Sequence, residues 1–199
     1  TWDGATDPFG VRPLPSLPVG VSSPACAGYK NRLYVAGGES AAGTSSQFAM
    51  LDLDGQDMVW QMLPPLPVPV SHAVMVALEK DGQPLLVLMG GRDRKANGIS
   101  NLYGTVYAFD PVKGSWEEWP PLPYALSAGT GIASGNESIL LFGGDRGETF
   151  NQVERLMASI QQEKDTVRKQ ELIRQKNHIQ MSHPGFSREI LRYSVKTGA

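Results

Sequence analysis

A short apolar run that ends in two glycines occurs three times in this chain, at residues 33–38, 86–91 and 140–144. Successive glycine pairs lie 53 residues apart. A Leu-Pro step stands upstream of each run, at Leu17-Pro18, Leu66-Pro67 and Leu122-Pro123. A fixed period of this length indicates a repeat architecture, in which each unit is one supersecondary element that packs on its neighbours.

A period near fifty, with paired glycines closing an apolar strand, is typical of kelch-type propeller blades, so the predicted fold class is all-β. Propellers close with about four to eight blades, and three repeats therefore predict a partial ring. We expect blade one over residues 22–67, blade two over 68–123, and blade three over 124–199 with its outer strand missing. Residues 1–21 are predicted to form an N-terminal arm or a closing strand.

The third repeat departs from the other two after its glycine pair. Val153, Leu156, Met157 and Ile160 recur at helical spacing, and a second charged helical run follows to about residue 180. We therefore predict a helical hairpin inserted into blade three over residues 150–181. Its first helix is expected to begin with a capping box, Thr149 and Gln152, and its second with Asp165 or Thr166 as the cap.

Two tryptophans and the glycines have a structural interpretation. Trp60 and Trp116 precede the second and third Leu-Pro steps, and Trp116 is expected to pack between neighbouring blades. The glycine pairs are expected to let the backbone turn where a Cβ atom would clash.

Composition excludes several classes of function. The net charge is −2 and the basic residues are dispersed, which argues against a nucleic-acid partner. No apolar run is long enough to span a bilayer, so no membrane partner is expected. The histidines lack metal-ligand spacing, and neither a metal nor another cofactor is predicted. The single cysteine, Cys26, is interpreted as an inert core thiol.

Charged residues follow each glycine pair, where equivalent loops would aim them at one mouth of the central channel. Guanidinium groups there would suit a small anionic ligand, because they hold a carboxylate through two hydrogen bonds. The alternative is that these side chains pair with one another and stiffen the loops. The candidates for substrate binding are Glu39, Arg92, Arg94, Asp145, Arg146 and Glu148. Asp93, between two of them in the sequence, is another charged residue that follows a glycine pair.

The arrangement resembles the N-acetylneuraminate epimerase (sialate mutarotase) family of cyclically permuted kelch propellers. The most distinctive feature is the segment 147–151 after the third glycine pair, followed by a charged helical hairpin and then by residues 186–188. Further similarities lie at residues 14–19, 42–44 and 106–111, and at Trp116. The resemblance covers nearly the whole chain, as the N-terminal half of a six-bladed ring.

That resemblance implies interconversion of the α and β anomers of a sialic acid, with Arg92, Arg94 and Arg146 as candidates for its carboxylate. The family's catalytic glutamate belongs to a Gly-Glu-…-Pro-Gly-x-Arg loop that this sequence lacks, so it is expected beyond residue 199. The chain alone is then expected to be inactive. Its expected partners are a sugar acid and the remaining half of the propeller, in the same or a separate chain. A periplasmic or secreted location is expected.

Two other functions stay open on the sequence. A kelch repeat can also be a protein-interaction module, with the hairpin as its docking element. The chain can also belong to another carbohydrate-binding propeller.

Overall fold

The computed structural model describes residues 13–195, and the structure consists mainly of antiparallel β-sheets with two helices. The fold is a partial kelch-type β-propeller, as the sequence predicts. The N-terminal arm or closing strand is predicted over residues 1–21; residues 13–21 form no strand, and residues 1–12 and 196–199 lie outside the described residues.

Blade one is a four-stranded sheet in the order β1-β2-β5-β6, and the β3–β4 hairpin follows its glycine pair. Its strands are β1 (Ala25–Tyr29), β2 (Arg32–Ala36), β3 (Glu39–Ser40), β4 (Gly43–Thr44), β5 (Phe48–Asp52) and β6 (Gln61–Met62).

Blade two repeats this plan, with the order β7-β8-β11-β12 and a β9–β10 hairpin after the glycine pair. Its strands are β7 (Val74–Lys80), β8 (Gln83–Met89), β9 (Arg92–Arg94), β10 (Ser100–Leu102), β11 (Val106–Asp110) and β12 (Ser115–Trp119).

Blade three has three strands among the described residues, in the order β13-β14-β15, and the two helices are inserted between β14 and β15. Its elements are β13 (Ser127–Ser134), β14 (Ser138–Asp145), α1 (Glu148–Gln162), α2 (Thr166–Met181) and β15 (Ile190–Ser194).

The innermost strands β1, β7 and β13 lie side by side, with β7 in the middle. Backbone hydrogen bonds join the residues where these strands begin. The amide of His72 donates to the carbonyl of Ser23 (2.9 Å), and the amide of Ala128 donates to the carbonyl of His72 (2.9 Å). The three blades are thus linked in sequence around a common axis.

The core lies between the blades, because β8 is buried on both faces. Leu86 and Leu88 point to blade one and contact the cluster around Phe48, whereas Val87 and Met89 point to blade three. Successive side chains of a strand point to opposite faces. Because both faces of β8 are buried, its sequence is a continuous apolar run. The indole of Trp116 lies 5.1 Å from the rings of both Phe48 and Phe109, which confirms its predicted place between two blades.

The outer part of each blade also donates a hydrogen bond to the linker that contains the preceding Leu-Pro step. The indole N–H of Trp60 donates to the carbonyl of Pro15 (2.9 Å), and that of Trp116 donates to Pro64 (3.2 Å). In blade three the hydroxyl of Tyr193 donates to the carbonyl of Pro120 (2.8 Å). The linker carbonyls, which strand pairing leaves free, are satisfied by the next blade in all three repeats.

In the first two glycine pairs, the first glycine allows the next blade to approach. At Gly37 an added Cβ atom would lie 2.0 Å from the carbonyl oxygen of Val70, and at Gly90 it would lie 2.2 Å from that of Leu126. Both glycines have a positive φ, 65° and 64°, which other residues adopt only with strain. Gly37 and Gly90 therefore have the structural role expected from the sequence, whereas a Cβ atom at Gly143 would meet only the carbonyl oxygen of Ser187, at 3.9 Å.

The predicted helical hairpin is confirmed, but one of its predicted caps is wrong. The first helix begins after Gly147, whose φ is 88° and which provides no side-chain cap, and Thr149 already lies in the first turn. The reason is a tight turn in which the carboxylate of Asp145 accepts from the amide of Gly147 (2.6 Å). The second cap is confirmed, since the Asp165 carboxylate accepts from the amide of Arg168 (2.7 Å).

Candidate functional site

Arg92 is the centre of a charged cluster beside the second glycine pair. Its backbone pairs with Ser71 through two hydrogen bonds of 2.8 Å, which fix the first residue of β9 next to the start of blade two's inner strand. Its guanidinium lies 3.4 Å from a carboxylate oxygen of Glu39 and 3.8 Å from one of Glu154. It also lies 4.6 Å from the centre of the Phe150 ring. The cluster joins two blades and α1.

Glu154 is a member of this cluster that the sequence analysis missed. The residue is only 8% exposed, and its carboxylate accepts from the backbone amide (2.7 Å) and the hydroxyl (2.9 Å) of Ser100. It therefore anchors α1 to β10. Helical periodicity gives no signal for this role, because Glu154 stands inside the apolar pattern of α1 as a charged residue that would be expected in solvent.

His72 lies against the cluster in an unusual backbone conformation. Its φ is 55°, and the equivalent residues of the other blades, Ser23 and Ala128, have φ of 51° and 56°. Non-glycine residues held in this region are strained, and such strain concentrates at functional sites. The same conformation in three repeats shows that the blade geometry imposes it.

The imidazole of His72 is held by two polar neighbours. Its Nδ1 lies 3.3 Å from Nε of Arg92 and 3.1 Å from the hydroxyl of Ser71. Because a guanidinium nitrogen can only donate, Nδ1 accepts and the proton of the neutral ring lies on Nε2. Desolvation and the charge of Arg92 lower the pKa of His72, while Glu39 opposes this effect. The ring is therefore a neutral hydrogen-bond donor near neutral pH.

A pocket of about 390 Å³ opens beside this cluster. It is formed by blade two, the beginning of β13, the first turns of α1 and the segment after α2. The side chains that line it and can bind a polar ligand are His72, Arg92, Ser127, Asp145, Thr149, Gln180 and His183, and Phe150, Val153 and Phe186 supply apolar surface. His178 is not among the residues that line it.

The predicted site residues fall into separate groups. Glu39 and Arg92 lie in the cluster, and Arg94 approaches Glu39 (3.8 Å) with 53% of its side chain exposed. Asp145 lines the pocket, whereas Asp93 forms an ion pair with Lys95. The pairing among loop residues that was the alternative prediction is thus observed for Glu39 and the two arginines.

Arg146 and Glu148 line a neighbouring depression of about 360 Å³ instead of this pocket. The guanidinium of Arg146 pairs with Glu189 and lies 3.8 Å from the centre of the Tyr124 ring. The hydroxyl of Tyr124 also donates to Glu189 (2.6 Å), and it lowers the pKa of that carboxyl together with Arg146. Arg146 and Glu148 therefore do not line the pocket beside Arg92, although the two cavities share Asp145, Thr149, His183 and Phe186.

The prediction that Cys26 is a core thiol is also wrong. The residue is exposed on β1, although partial desolvation raises the pKa of its thiol. Strand β1 places alternate side chains on opposite faces, and Cys26 lies on the face that the described blades leave uncovered.

Residues 13–195 contain neither a candidate membrane-spanning helix nor a cluster of metal-ligating side chains. These residues contain no helix that is both long and apolar enough to cross a bilayer. In the same part of the chain, no three His, Cys, Asp or Glu side chains are grouped so that they could hold a metal ion.

The unusual His72 pKa leads to a first prediction. Unfolded histidine titrates near pH 6.5, so between that value and its lower folded pKa the unfolded chain binds a proton that the folded chain does not. Stability should therefore fall as the pH drops below about 6.5. Histidine proton NMR should show a His72 titration below the ordinary value, and His72→Gln should remove that signal. A His72 titration at or above the ordinary value would contradict the buried, neutral ring.

Comparison with known proteins identifies relatives of this arrangement. A family model described as N-acetylneuraminate epimerase matches residues 14–199. Among solved structures, that of YjhT is similar, with a TM-score of 0.71 and 20% sequence identity. The similarity covers 93% of this chain and 52% of that one, so the chain spans about half the length of YjhT. At this identity the likeness shows the fold alone. Among curated proteins, none matches the chain.

Proposed function

The chain belongs to the N-acetylneuraminate epimerase family, and on that basis we propose that it forms the substrate-binding part of a sialic acid mutarotase. The reaction interconverts the α and β anomers of N-acetylneuraminate. In this proposal the chain provides three blades of a six-bladed ring, and the remaining blades are in the same or a separate chain. The resemblance further suggests a role in carbohydrate metabolism and a periplasmic or secreted location.

The observation that carries the proposal is the chemistry of the pocket beside Arg92. A sialic acid has one carboxylate, several hydroxyls and an apolar acetyl methyl group. Arg92 and Nε2 of His72 offer N–H donors for the carboxylate, and Asp145 offers an acceptor for a hydroxyl. Phe150 and Val153 offer an apolar surface in the same pocket. A small acidic sugar is the ligand class that uses all of these groups.

Arg92 keeps capacity for a ligand although it has two acidic neighbours. Its distances to Glu39 and Glu154, 3.4 and 3.8 Å, exceed the 2.7–2.9 Å of a strong charge-assisted hydrogen bond. Two arginines, Arg92 and Arg94, face two glutamates in the cluster, so it is close to neutral before a ligand arrives. A substrate carboxylate can therefore bind without facing an excess of negative charge.

Mutarotation requires that a base removes the proton of the anomeric hydroxyl while an acid protonates the ring oxygen, after which the roles reverse. The glutamate expected for this step lies outside the present sequence. The residues of the pocket would then hold the sugar by its carboxylate and hydroxyls while its ring opens. The geometry supports binding and orientation by this chain, and it assigns no proton transfer to it.

A second prediction tests this function. Residues 1–199 should bind N-acetylneuraminate in saturation-transfer NMR without accelerating anomer exchange, because the expected catalytic glutamate is absent. The complete propeller should accelerate the exchange in one-dimensional proton NMR. Arg92→Lys should weaken binding, because lysine cannot hold a carboxylate through two parallel hydrogen bonds. An exchange rate for the complete protein that equals the rate in buffer would reject the proposal.

A protein-interaction module remains the second candidate. The hairpin leaves several large apolar side chains exposed, with Met157 51%, Val167 72% and Met181 89% accessible, and such side chains can dock a partner. This candidate predicts no binding of N-acetylneuraminate, so the same NMR experiment separates the two functions. Another carbohydrate-binding propeller would bind a different sugar and would leave the sialic acid anomers unchanged.

A further inference from the structure

A second cavity, which we call the hairpin groove, adjoins the substrate pocket. It has a volume of about 620 Å³ and lies between the β9–β10 hairpin and the facing sides of α1 and α2. Arg92, Phe150, Val153 and Gln180 line both cavities. The two cavities are therefore adjacent, and a ligand that occupies both would pass these shared side chains.

The hairpin groove carries a net positive charge that comes from Lys169 and Lys176, since Arg92 and Arg94 are balanced by Glu39 and Glu154. Four basic side chains line it against a single carboxylate, that of Glu154, which is already bound by Ser100 and Arg92. Lys169 and Lys176 lie seven residues apart on one half-buried side of α2. Within residues 13–195 neither ammonium group has a carboxylate within 4.0 Å, so their charges have no ion-pair partner there.

The groove also offers apolar surface between its charges. Ile160 and Ile173 line it, and Met157 contributes an exposed thioether side chain. The lysine stems can cover this surface while their ammonium groups remain available to a ligand. The groove thus combines cationic groups with apolar surface, as the face of a sugar acid would require.

We propose that the hairpin groove binds a second acidic sugar, linked to the one in the pocket, so that the protein takes short sialic acid oligomers by their reducing end. The inference rests on the proposed function. Anomer exchange needs a free anomeric hydroxyl, so a substituent on the bound sugar has to leave from its other hydroxyls. In an α2,8-linked dimer the reducing-end unit keeps that free hydroxyl, and the second unit carries a second carboxylate for Lys169 and Lys176.

The test compares binding of N-acetylneuraminate with binding of its α2,8-linked dimer by isothermal titration calorimetry. The dimer should bind about tenfold more tightly, equivalent to about 1.4 kcal/mol, and high salt should reduce this difference because it screens exposed charges. Lys169→Gln/Lys176→Gln should abolish the preference and leave the monomer affinity unchanged. The matched control is Lys164→Gln/Arg174→Gln, which removes the same charge from exposed positions that do not line the groove.

The possible outcomes separate this inference from the proposed function. Equal affinities for monomer and dimer would overturn the groove inference and leave the mutarotase proposal standing. Loss of monomer affinity in the Lys169→Gln/Lys176→Gln variant would also overturn it, since the lysines would then act on the pocket. Failure to bind either sugar would overturn both. Circular dichroism melting of each variant excludes unfolding as the cause of a loss.

Discussion

Gly90→Ala is expected to destabilise the protein by about 2–5 kcal/mol, a large share of the roughly 5–15 kcal/mol that stabilises a typical domain. Two effects add together. The new Cβ atom would lie 2.2 Å from the carbonyl oxygen of Leu126, which the next blade holds in place, and the residue would keep a φ of 64°. The backbone strain alone costs about 1–2 kcal/mol, and overpacking adds about 1–3 kcal/mol.

The matched control is Gly82→Ala. This glycine also has a positive φ, 74°, but nothing lies within 4 Å of its Cβ position. Gly82→Ala therefore measures the cost of backbone strain alone, and we expect the free energy of unfolding to fall by about 1 kcal/mol. Urea unfolding followed by tryptophan fluorescence measures both variants. Equal losses at the two positions would show that the close approach between the blades at Gly90 does not limit stability.

Arg92→Met is the second substitution with a large expected effect. It would leave the largely buried carboxylates of Glu39 and Glu154, whose side chains are only 17% and 10% exposed, without the guanidinium between them. Removal of one partner from a buried ion pair costs about 3–5 kcal/mol, and the residual exposure of these groups reduces the expected loss to about 2–3 kcal/mol. Urea unfolding near neutral pH measures it. Affinity for N-acetylneuraminate should fall at the same time.

Two further variants establish the cause of that loss. Arg92→Met/Glu154→Gln should be more stable than the single variant, because the uncompensated charge at position 154 is gone. Arg94→Met should change stability by less than about 0.5 kcal/mol, since 53% of the Arg94 side chain is exposed and its single ion pair is long. A loss at Arg92 no larger than that at Arg94 would show that Arg92 does not neutralise the cluster.

The sequence predicts those parts of the site that occupy equivalent positions in successive repeats. Arg92 and Glu39 lie 53 residues apart, which is the period of the glycine pairs, so equivalent positions in neighbouring blades bring them together. His72 is not among the candidates from the sequence, because no sequence pattern marks a non-glycine residue with a positive φ. Its place beside Arg92 depends on the linker between two blades.

The sequence by itself determined the blade architecture, the close approach at the glycine pairs and the presence of a helical hairpin in blade three. These features follow from local periodicity and from a period that repeats. Only the tertiary structure decided where the hairpin lies, and with it the pocket wall, the hairpin groove and the pairing of Glu154 with Ser100, 54 residues away. The physical reason is that the hairpin occurs once. Its position depends on long-range contacts between side chains, for which the repeat provides no template.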